Sequence, residues 1–139
     1  MGNMSRRKGA SAEREVFKLI GAKLGISVER NLTQTRDGGY DTRIGPWSIE
    51  VKRCEALAVP AWWKQACEQA DASGGLPMLL YRRNRYPWLG VVSGYTLINV
   101  FGGGGIGCID FLNDRNRTVT IDLDTAIELI RLNLPSKPL

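Results

Sequence analysis

The sequence contains no histidine among its 139 residues. Histidine is the usual general base of Ser-His-Asp and Cys-His triads and a frequent zinc ligand, so its absence excludes those triads and nearly every zinc catalyst. Any hydrolysis by this chain must therefore use carboxylates, lysine and a metal ion held by oxygen atoms.

Cysteine is scarce, and long apolar runs are absent. Cys54, Cys67 and Cys108 are odd in number and never form a Cys-x-x-Cys pair, so they indicate reduced thiols and not a disulfide framework or a zinc site. No apolar run approaches the roughly 18 residues of a membrane-spanning helix, and the N-terminus has no apolar segment of the signal-peptide kind. We therefore expect a cytoplasmic protein that does not bind membranes.

The composition is that of a globular protein with an anionic partner. Hydrophobic residues make up 43% and charged residues 24% of the chain, which is long enough for one domain with a substantial core. Nineteen Lys and Arg against fourteen Asp and Glu give a net charge of +5, which favours nucleic acid as the partner. We predict a flexible basic arm at residues 1–10, a single domain at 11–134 and a tail at 135–139. The arm carries Arg6, Arg7 and Lys8 and has a plain disordered tail as its alternative interpretation.

Residues 41–52 predict a β-hairpin. A two-residue turn at Gly45 and Pro46 places Ile44 opposite Trp47 and Asp41 opposite Glu50. Because side chains alternate along a strand, the hairpin has an apolar face and a polar face. The apolar face collects Thr42, Ile44, Trp47, Ile49 and Val51, and the polar face collects Asp41, Arg43, Ser48, Glu50 and Lys52. Proline restricts the turn to type II′ or to a longer loop that would shift this register.

Asp41 and Glu50 form an opposed like-charge pair that needs an explanation. Like charges placed directly across a strand pair destabilise it by up to about 1 kcal/mol. A hard cation such as Mg²⁺ would offset that cost, because it takes oxygen ligands from one or two carboxylates. Lys52 shares the same face. The alternative is that Glu50-Val51-Lys52 is a chance Glu-x-Lys pattern.

Residues 11–24 predict a helix, with Ser11 as N-cap and Gly25 as stop. On a helical wheel, Glu13 falls within the apolar stripe, whereas Glu15 lies well outside it. A buried carboxylate is costly without a partner, so Glu13 is expected to point at a polar site or a cation. Its alternative role is a favourable interaction with the helix dipole.

The remaining patterns alternate between helix and strand. We predict further helices at 60–71, 95–101 and 124–132, and strands at 26–32, 78–81, 89–92, 108–112 and 118–121. The loop at 33–40 holds Asp37, which ranks below Asp41 as a metal ligand because nothing places it across from Glu50. The turn at 82–88 interleaves basic and aromatic residues, so it is a candidate phosphate contact or, alternatively, a solvated hairpin tip. Candidate DNA-binding residues in these two loops are Arg36, Arg82, Arg83 and Arg85.

Four motifs together resemble the PD-(D/E)xK nuclease superfamily, and more narrowly the archaeal-type Holliday junction resolvases and their phage relatives. The run from Arg7 to Glu15 is similar to the Arg-Lys-Gly-x-x-Ala-Glu-Arg-Glu start of those enzymes. Asp41 and the sequence Glu50-Val51-Lys52 follow, and the run from Gly74 to Leu79 resembles their Gly-Gly-Ile-Pro-Val-Leu strand entry. The resemblance covers residues 6–93. Tyr40 stands where some members have proline before the aspartate, and the C-terminal third matches no known pattern.

The resemblance implies an α/β fold, with a restriction-endonuclease-like mixed sheet flanked by helices. It implies an endonuclease that hydrolyses phosphodiester bonds in branched DNA with Mg²⁺, for which Mn²⁺ would substitute, and without a small-molecule cofactor. Asp41, Glu50 and the Val51 carbonyl would hold the metal, Lys52 would act on the attacking water, and Glu13 would complete the site through a metal or a water molecule. Phosphate contacts would come from Arg6, Arg7, Lys8 and Arg14. The resemblance further implies a homodimer that acts on four-way junctions in DNA recombination and repair, in a bacterial, archaeal or phage-infected cell.

Three alternatives remain open at this point. One is a nicking or repair nuclease of the same fold that is indifferent to branching. Another is a basic DNA-binding protein on the same scaffold without activity. An RNA-directed nuclease has no supporting recognition pattern in the sequence.

Overall fold

The computed structural model describes residues 2–31, 40–101, 115 and 117–134, and for residues 2–8 and 99–101 it describes the backbone alone. Nine elements lie in these ranges. In chain order they are α1 (Gly2–Leu24), β1 (Thr42–Ile44), β2 (Trp47–Cys54), α2 (Val59–Ser73), β3 (Leu76–Arg83), β4 (Leu89–Ser93), α3 (Gly94–Phe101), β5 (Thr118–Asp122) and α4 (Leu123–Leu132).

The five strands form one mixed sheet in the order β1-β2-β3-β4-β5. Only β2 and β3 are parallel, and every other neighbouring pair is antiparallel. The parallel pair requires a crossover connection, which α2 supplies. The predicted α/β fold, a mixed sheet flanked by helices of the restriction-endonuclease-like kind, is confirmed.

Apolar side chains cover both faces of the central strands. On one face, Trp47, Ile49 and Met78 pack with Ile20 of α1 and Ile127 of α4 in the larger core cluster. On the other face, Leu79, Tyr81 and Val91 pack with Trp63 and Ala66 of α2. The central strands are therefore buried on both sides, as is usual where parallel strands lie in a sheet.

The hairpin has the predicted register. Thr42 pairs with Ile49, Arg43 with Ser48 and Ile44 with Trp47. Gly45 has φ of 55°, a left-handed conformation that glycine adopts without steric cost, so the two-residue turn is compatible with Pro46 as the next residue. On β2 the polar face of the hairpin is covered by α2, which buries Ser48 and Glu50.

The predicted start of the first helix, at residue 11, is wrong. The helix begins at Gly2, so Ser11 lies in its interior and is not an N-cap. Once a helix has nucleated, adding a residue to its end costs little, and the arginines and lysine at 6–8 are good helix formers. The predicted end is confirmed, since the Gly25 amide donates to the Gly21 carbonyl at 2.8 Å. The division into arm, domain and tail stays a prediction.

The predicted strand at 26–32 is wrong over the residues that the structure describes. Residues 27–31 lie outside any strand, although the Asn31 amide donates to the Asp41 carbonyl at 2.7 Å. Its β-favouring residues Val28 and Ile26 instead pack their side chains on the larger core. Burial of apolar side chains therefore fixes the position of this segment, which forms no ladder of backbone hydrogen bonds within the described residues.

The other predicted elements are found within a few residues of their expected bounds. The helix α2 ends at Ser73, and the φ of 72° at the following residue, Gly74, allows the Gly74 amide to bond back to the helix. Asp122 caps α4 by accepting a hydrogen bond from the Thr125 amide at 2.7 Å.

The predicted strand at 108–112 and most of the loop at 33–40 lie outside the described residues. None of the helices within the described ranges combines the length and apolar character needed to cross a membrane.

Candidate active site

The hairpin and the parallel neighbour of β2 fix the positions of two acidic side chains. Asp41 directly precedes β1, and Glu50 lies in the middle of β2. The Asp41 amide donates to the Ile49 carbonyl at 3.0 Å, and the Asp41 Oδ2 atom accepts a hydrogen bond from the Val51 amide at 2.6 Å. The Asp41 carboxyl group is thereby held against the Glu50–Val51 peptide, close to the Glu50 carboxyl group.

The two oxygen atoms of the Glu50 carboxylate have different surroundings. Its Oε1 atom lies 3.3 Å from the Nζ atom of Lys52. Its Oε2 atom is buried and has no hydrogen-bond partner. A buried carboxylate oxygen without a partner carries an unfavourable desolvation free energy, which a bound cation or water would relieve.

Burial and neighbouring charges raise the pKa of both carboxyl groups. The pKa of Asp41 rises from 3.8 to about 8, first through desolvation, then through the negative charge of Glu50, with a further contribution from Glu13. Desolvation also raises the pKa of Glu50, and the positive charge of Lys52 opposes that rise. Such clustering of perturbed carboxyl groups is typical of functional sites.

Glu13 reaches this site from α1. It is buried, as the helical wheel predicts, and it contributes a hydrogen bond and a charge to the environment of Asp41. Its Oε2 atom accepts a hydrogen bond from the Arg30 Nε atom at 2.5 Å. The structure thus gives Glu13 a cationic side chain as a partner, and Arg30 is a site residue that the sequence patterns did not reveal.

Glu15, in contrast, holds a second network that helical periodicity did not predict. It is one-third exposed, and its carboxylate pairs with both Arg53 and Arg82. The Trp88 Nε1 atom also donates to it at 3.3 Å. Arg53 and Arg82 occupy paired positions on the parallel strands β2 and β3, so one carboxylate ties the ends of both strands to α1.

The candidate DNA-binding residues differ in their surroundings. Arg14 is exposed on α1, and Arg83 and Arg85 are exposed at the turn between β3 and β4. Arg82 is only one-quarter exposed, and it is committed to Glu15 and to the Tyr86 carbonyl. Arg36 and the side chains of Arg6, Arg7 and Lys8 lie outside the described residues.

Among the residues that the structure describes, no group of three or more His, Cys, Asp or Glu side chains has an arrangement that could hold a metal ion. Mg²⁺ does not require such a group, because it commonly binds one or two carboxylates together with water and substrate phosphate oxygens. Asp41 and Glu50 supply two carboxylates, and the Oε2 atom of Glu50, which has no hydrogen-bond partner, is available as a ligand to a cation. The residues present therefore fit a hard divalent cation.

An aspartate at the start of a hairpin, with a Glu-x-Lys sequence on the next strand of a mixed sheet, is the arrangement of the PD-(D/E)xK nucleases. Residues 4–102 match the family model described as "Phage putative PDDEXK endonuclease", which covers more than half of the chain. The chain belongs to this family of PDDEXK endonucleases. Comparison with curated proteins and with solved structures gave no match. The predicted membership of the PD-(D/E)xK superfamily, as a phage relative, is confirmed.

Proposed function

We propose that the protein is a Mg²⁺-dependent endonuclease that cuts branched DNA, acting as a four-way junction resolvase. One observation carries the catalytic part of this proposal. The buried Glu50 carboxylate has one oxygen on Lys52 and the other without a partner, and it lies beside Asp41. Metal, carboxylates and lysine are the hydrolytic groups that a chain without histidine can combine.

Asp41 and Glu50 would hold the metal, with the Val51 carbonyl as a further oxygen donor. The bound metal would supply Lewis-acid stabilisation of a phosphoryl oxygen and a lowered pKa for an attacking water. Binding the cation requires both carboxyl groups in their ionised form. The raised pKa of Asp41 makes proton and metal compete at this position near neutral pH.

Lys52 supplies the positive charge next to the metal ligands. Its side chain is about one-quarter exposed, so the ammonium group contacts Glu50 and also reaches solvent. In that position it can orient the attacking water and stabilise negative charge that develops on the phosphate oxygens. Glu13, held by Arg30, acts on Asp41 through a hydrogen bond and contributes to the site by positioning that ligand.

The family match does not include the proposed preference for branched DNA or the proposed homodimer. They rest on the similarity of the segments at residues 7–15 and 74–79 to the junction resolvases. A four-way junction needs two symmetric cuts, which a dimer with two equal sites provides. The net charge of +5 supports salt-dependent attraction to the phosphate backbone.

The test compares two DNA substrates of the same total sequence. Labelled four-way junction and matched linear duplex are incubated with the protein and Mg²⁺, and the products are resolved under denaturing conditions. We expect paired cuts near the branch point and little cutting of the duplex. Equal rates on both substrates would contradict the resolvase proposal and favour a nicking or repair nuclease of the same fold.

A further inference from the structure

The turn between β3 and β4, residues 84–88, is held firmly against the neighbouring strand. The Asn84 amide donates to the Cys54 carbonyl at 3.2 Å, and the Tyr86 amide donates to the Arg83 carbonyl at 2.9 Å. The Arg82 Nε atom donates to the Tyr86 carbonyl at 2.8 Å. Because three of its backbone groups are bonded, the backbone of the turn is held in one conformation.

Three exposed side chains lie at this turn, the aromatic ring of Tyr86 and the arginines Arg83 and Arg85. Tyr86 is 56% exposed, the largest exposure among the large hydrophobic side chains in the described ranges. The Arg83 guanidinium lies over the ring, with its Cζ atom 5.2 Å from the ring centroid. Such a cation–π contact orients the ring and places a positive charge beside it.

Arg85 has a backbone conformation that residues with a side chain rarely adopt. Its φ is 71°, and within the described part of the chain no other residue except glycine has a positive φ. Glycine or asparagine would adopt this conformation more easily, yet the chain places an exposed arginine there. Strained residues without a packing role are often functional, and here the strained residue is an exposed cation that directly precedes Tyr86 in the chain.

The strand register places Arg83, the residue before this turn, on the same face of the sheet as Glu50. Glu50 pairs with Leu79, Lys52 with Tyr81 and Cys54 with Arg83. Since side chains alternate along a strand, Arg83 projects to the same face as Glu50 and Lys52. The four-residue offset from Leu79 to Arg83 corresponds to about 13 Å along the strand, or about four base steps of duplex DNA.

We propose that Tyr86, with Arg83 and Arg85, forms a stacking site for an unpaired DNA base within about four nucleotides of the cut. Every base has a π-face that stacks on an aromatic ring, and arginines beside the ring bind the adjoining phosphates. Arg82 has a different role, because it pairs with Glu15 and supports the turn by donating to the Tyr86 carbonyl. The proposal rests on the proposed nuclease function and adds to it a preference for DNA whose bases leave the duplex near the cut.

The test measures binding in the absence of metal, so that no cleavage occurs. A single-stranded DNA oligonucleotide carrying 2-aminopurine and the matched duplex of the same sequence are titrated with wild type, Tyr86→Ala, Tyr86→Leu and Tyr86→Phe. We expect Tyr86→Ala and Tyr86→Leu to lower the affinity for the single strand relative to the duplex by about 5- to 140-fold. Tyr86→Phe keeps the wild-type ratio and the quenching of 2-aminopurine fluorescence.

Equal binding ratios for wild type and Tyr86→Ala would overturn the proposal. So would a Tyr86→Leu variant that performs as well as Tyr86→Phe, because an apolar contact would then suffice without a π-face. Unchanged melting temperatures in the variants show that the binding loss is local. Cleavage with Mg²⁺ that is independent of Tyr86 rejects this site alone, whereas Tyr86-dependent binding without any cleavage rejects the nuclease function and leaves the site standing.

Discussion

The Nζ atom of Lys52 lies 3.3 Å from the Oε1 atom of Glu50, two residues before it on the same strand. The other Glu50 oxygen is buried without a hydrogen-bond partner. Lysine therefore neutralises one side of the carboxylate and leaves the other side available to a cation. The positive charge of Lys52 opposes the rise in the pKa of Glu50 that burial causes.

Lys52→Met should abolish most of the cleavage while DNA binding persists. The substitution keeps much of the side-chain volume and removes the charge that, in the proposed mechanism, acts on the water and the phosphate oxygens. We expect a fall in the cleavage rate of about 10²- to 10⁴-fold at saturating DNA. The control is Lys64→Met on the exposed surface of α2, which should cleave at the wild-type rate. A wild-type rate for Lys52→Met would exclude a catalytic role for the lysine.

Metal-free protein should lose stability as the pH rises from about 4 to about 8. Asp41 has a folded-state pKa of about 8 against 3.8 when unfolded, so the folded state keeps a proton that the unfolded chain releases. The contribution of Asp41 to the unfolding free energy is fully present below pH 3.8. It falls by at most about 1.4 kcal/mol per pH unit between pH 3.8 and about pH 8. Denaturant unfolding across this range measures the slope.

Asp41→Asn is the control for this pH dependence. Asparagine keeps the shape and cannot ionise, so the variant should lose the Asp41 part of the slope and be more stable than wild type above about pH 8. Identical slopes in the two proteins would mean that Asp41 has an ordinary pKa.

Arg30→Ala should destabilise the fold and disturb the site. The substitution removes the guanidinium from Glu13, a largely buried carboxylate. Because Arg30 is one-quarter exposed, we expect a loss of about 1–3 kcal/mol in unfolding free energy, below the cost of breaking a fully buried pair. Chemical denaturation measures this loss. The double variant Glu13→Gln/Arg30→Ala should recover part of it, and purely additive losses would show that the two side chains are not coupled.

Arg85→Gly should stabilise the protein. Glycine adopts the φ of 71° without the steric penalty of a side chain, although it adds entropy to the unfolded state. The net gain is expected to be up to about 1 kcal/mol in unfolding free energy, visible as a higher melting temperature. Arg85→Ala, which keeps the strained geometry with a smaller side chain, should give no comparable gain. A destabilised Arg85→Gly variant would show that the conformation at this position carries no strain.

The hairpin could be predicted from the sequence because it is governed by local rules. Gly45 and Pro46 fix the turn, and strict alternation then fixes which residues face each other. The burial of Ser48 and Glu50 could not be predicted in the same way. It depends on how α2 packs over β2. This is a tertiary contact that the whole sheet determines and that local sequence patterns do not encode.

The helix residues show the same limit. Periodicity identified Glu13 as a buried carboxylate, and the structure places it beside Asp41. Its partner Arg30 belongs to a segment that the apolar pattern assigned to a strand, and the structure places Arg30 outside any strand. The network around Glu15 was also missed, because Arg53 and Arg82 become neighbours only through the parallel register of β2 and β3.

The most direct test of the Asp41–Glu50 site is the rate of four-way junction cleavage as a function of Mg²⁺ concentration, measured with wild type, Glu50→Ala and the exposed control Glu68→Ala. Junction binding is measured in the same samples by gel shift without metal. We predict saturable Mg²⁺-dependent cleavage by wild type and Glu68→Ala, and junction binding without cleavage by Glu50→Ala. Cleavage by Glu50→Ala at the wild-type rate, or no cleavage by wild type at any Mg²⁺ concentration, would contradict the account.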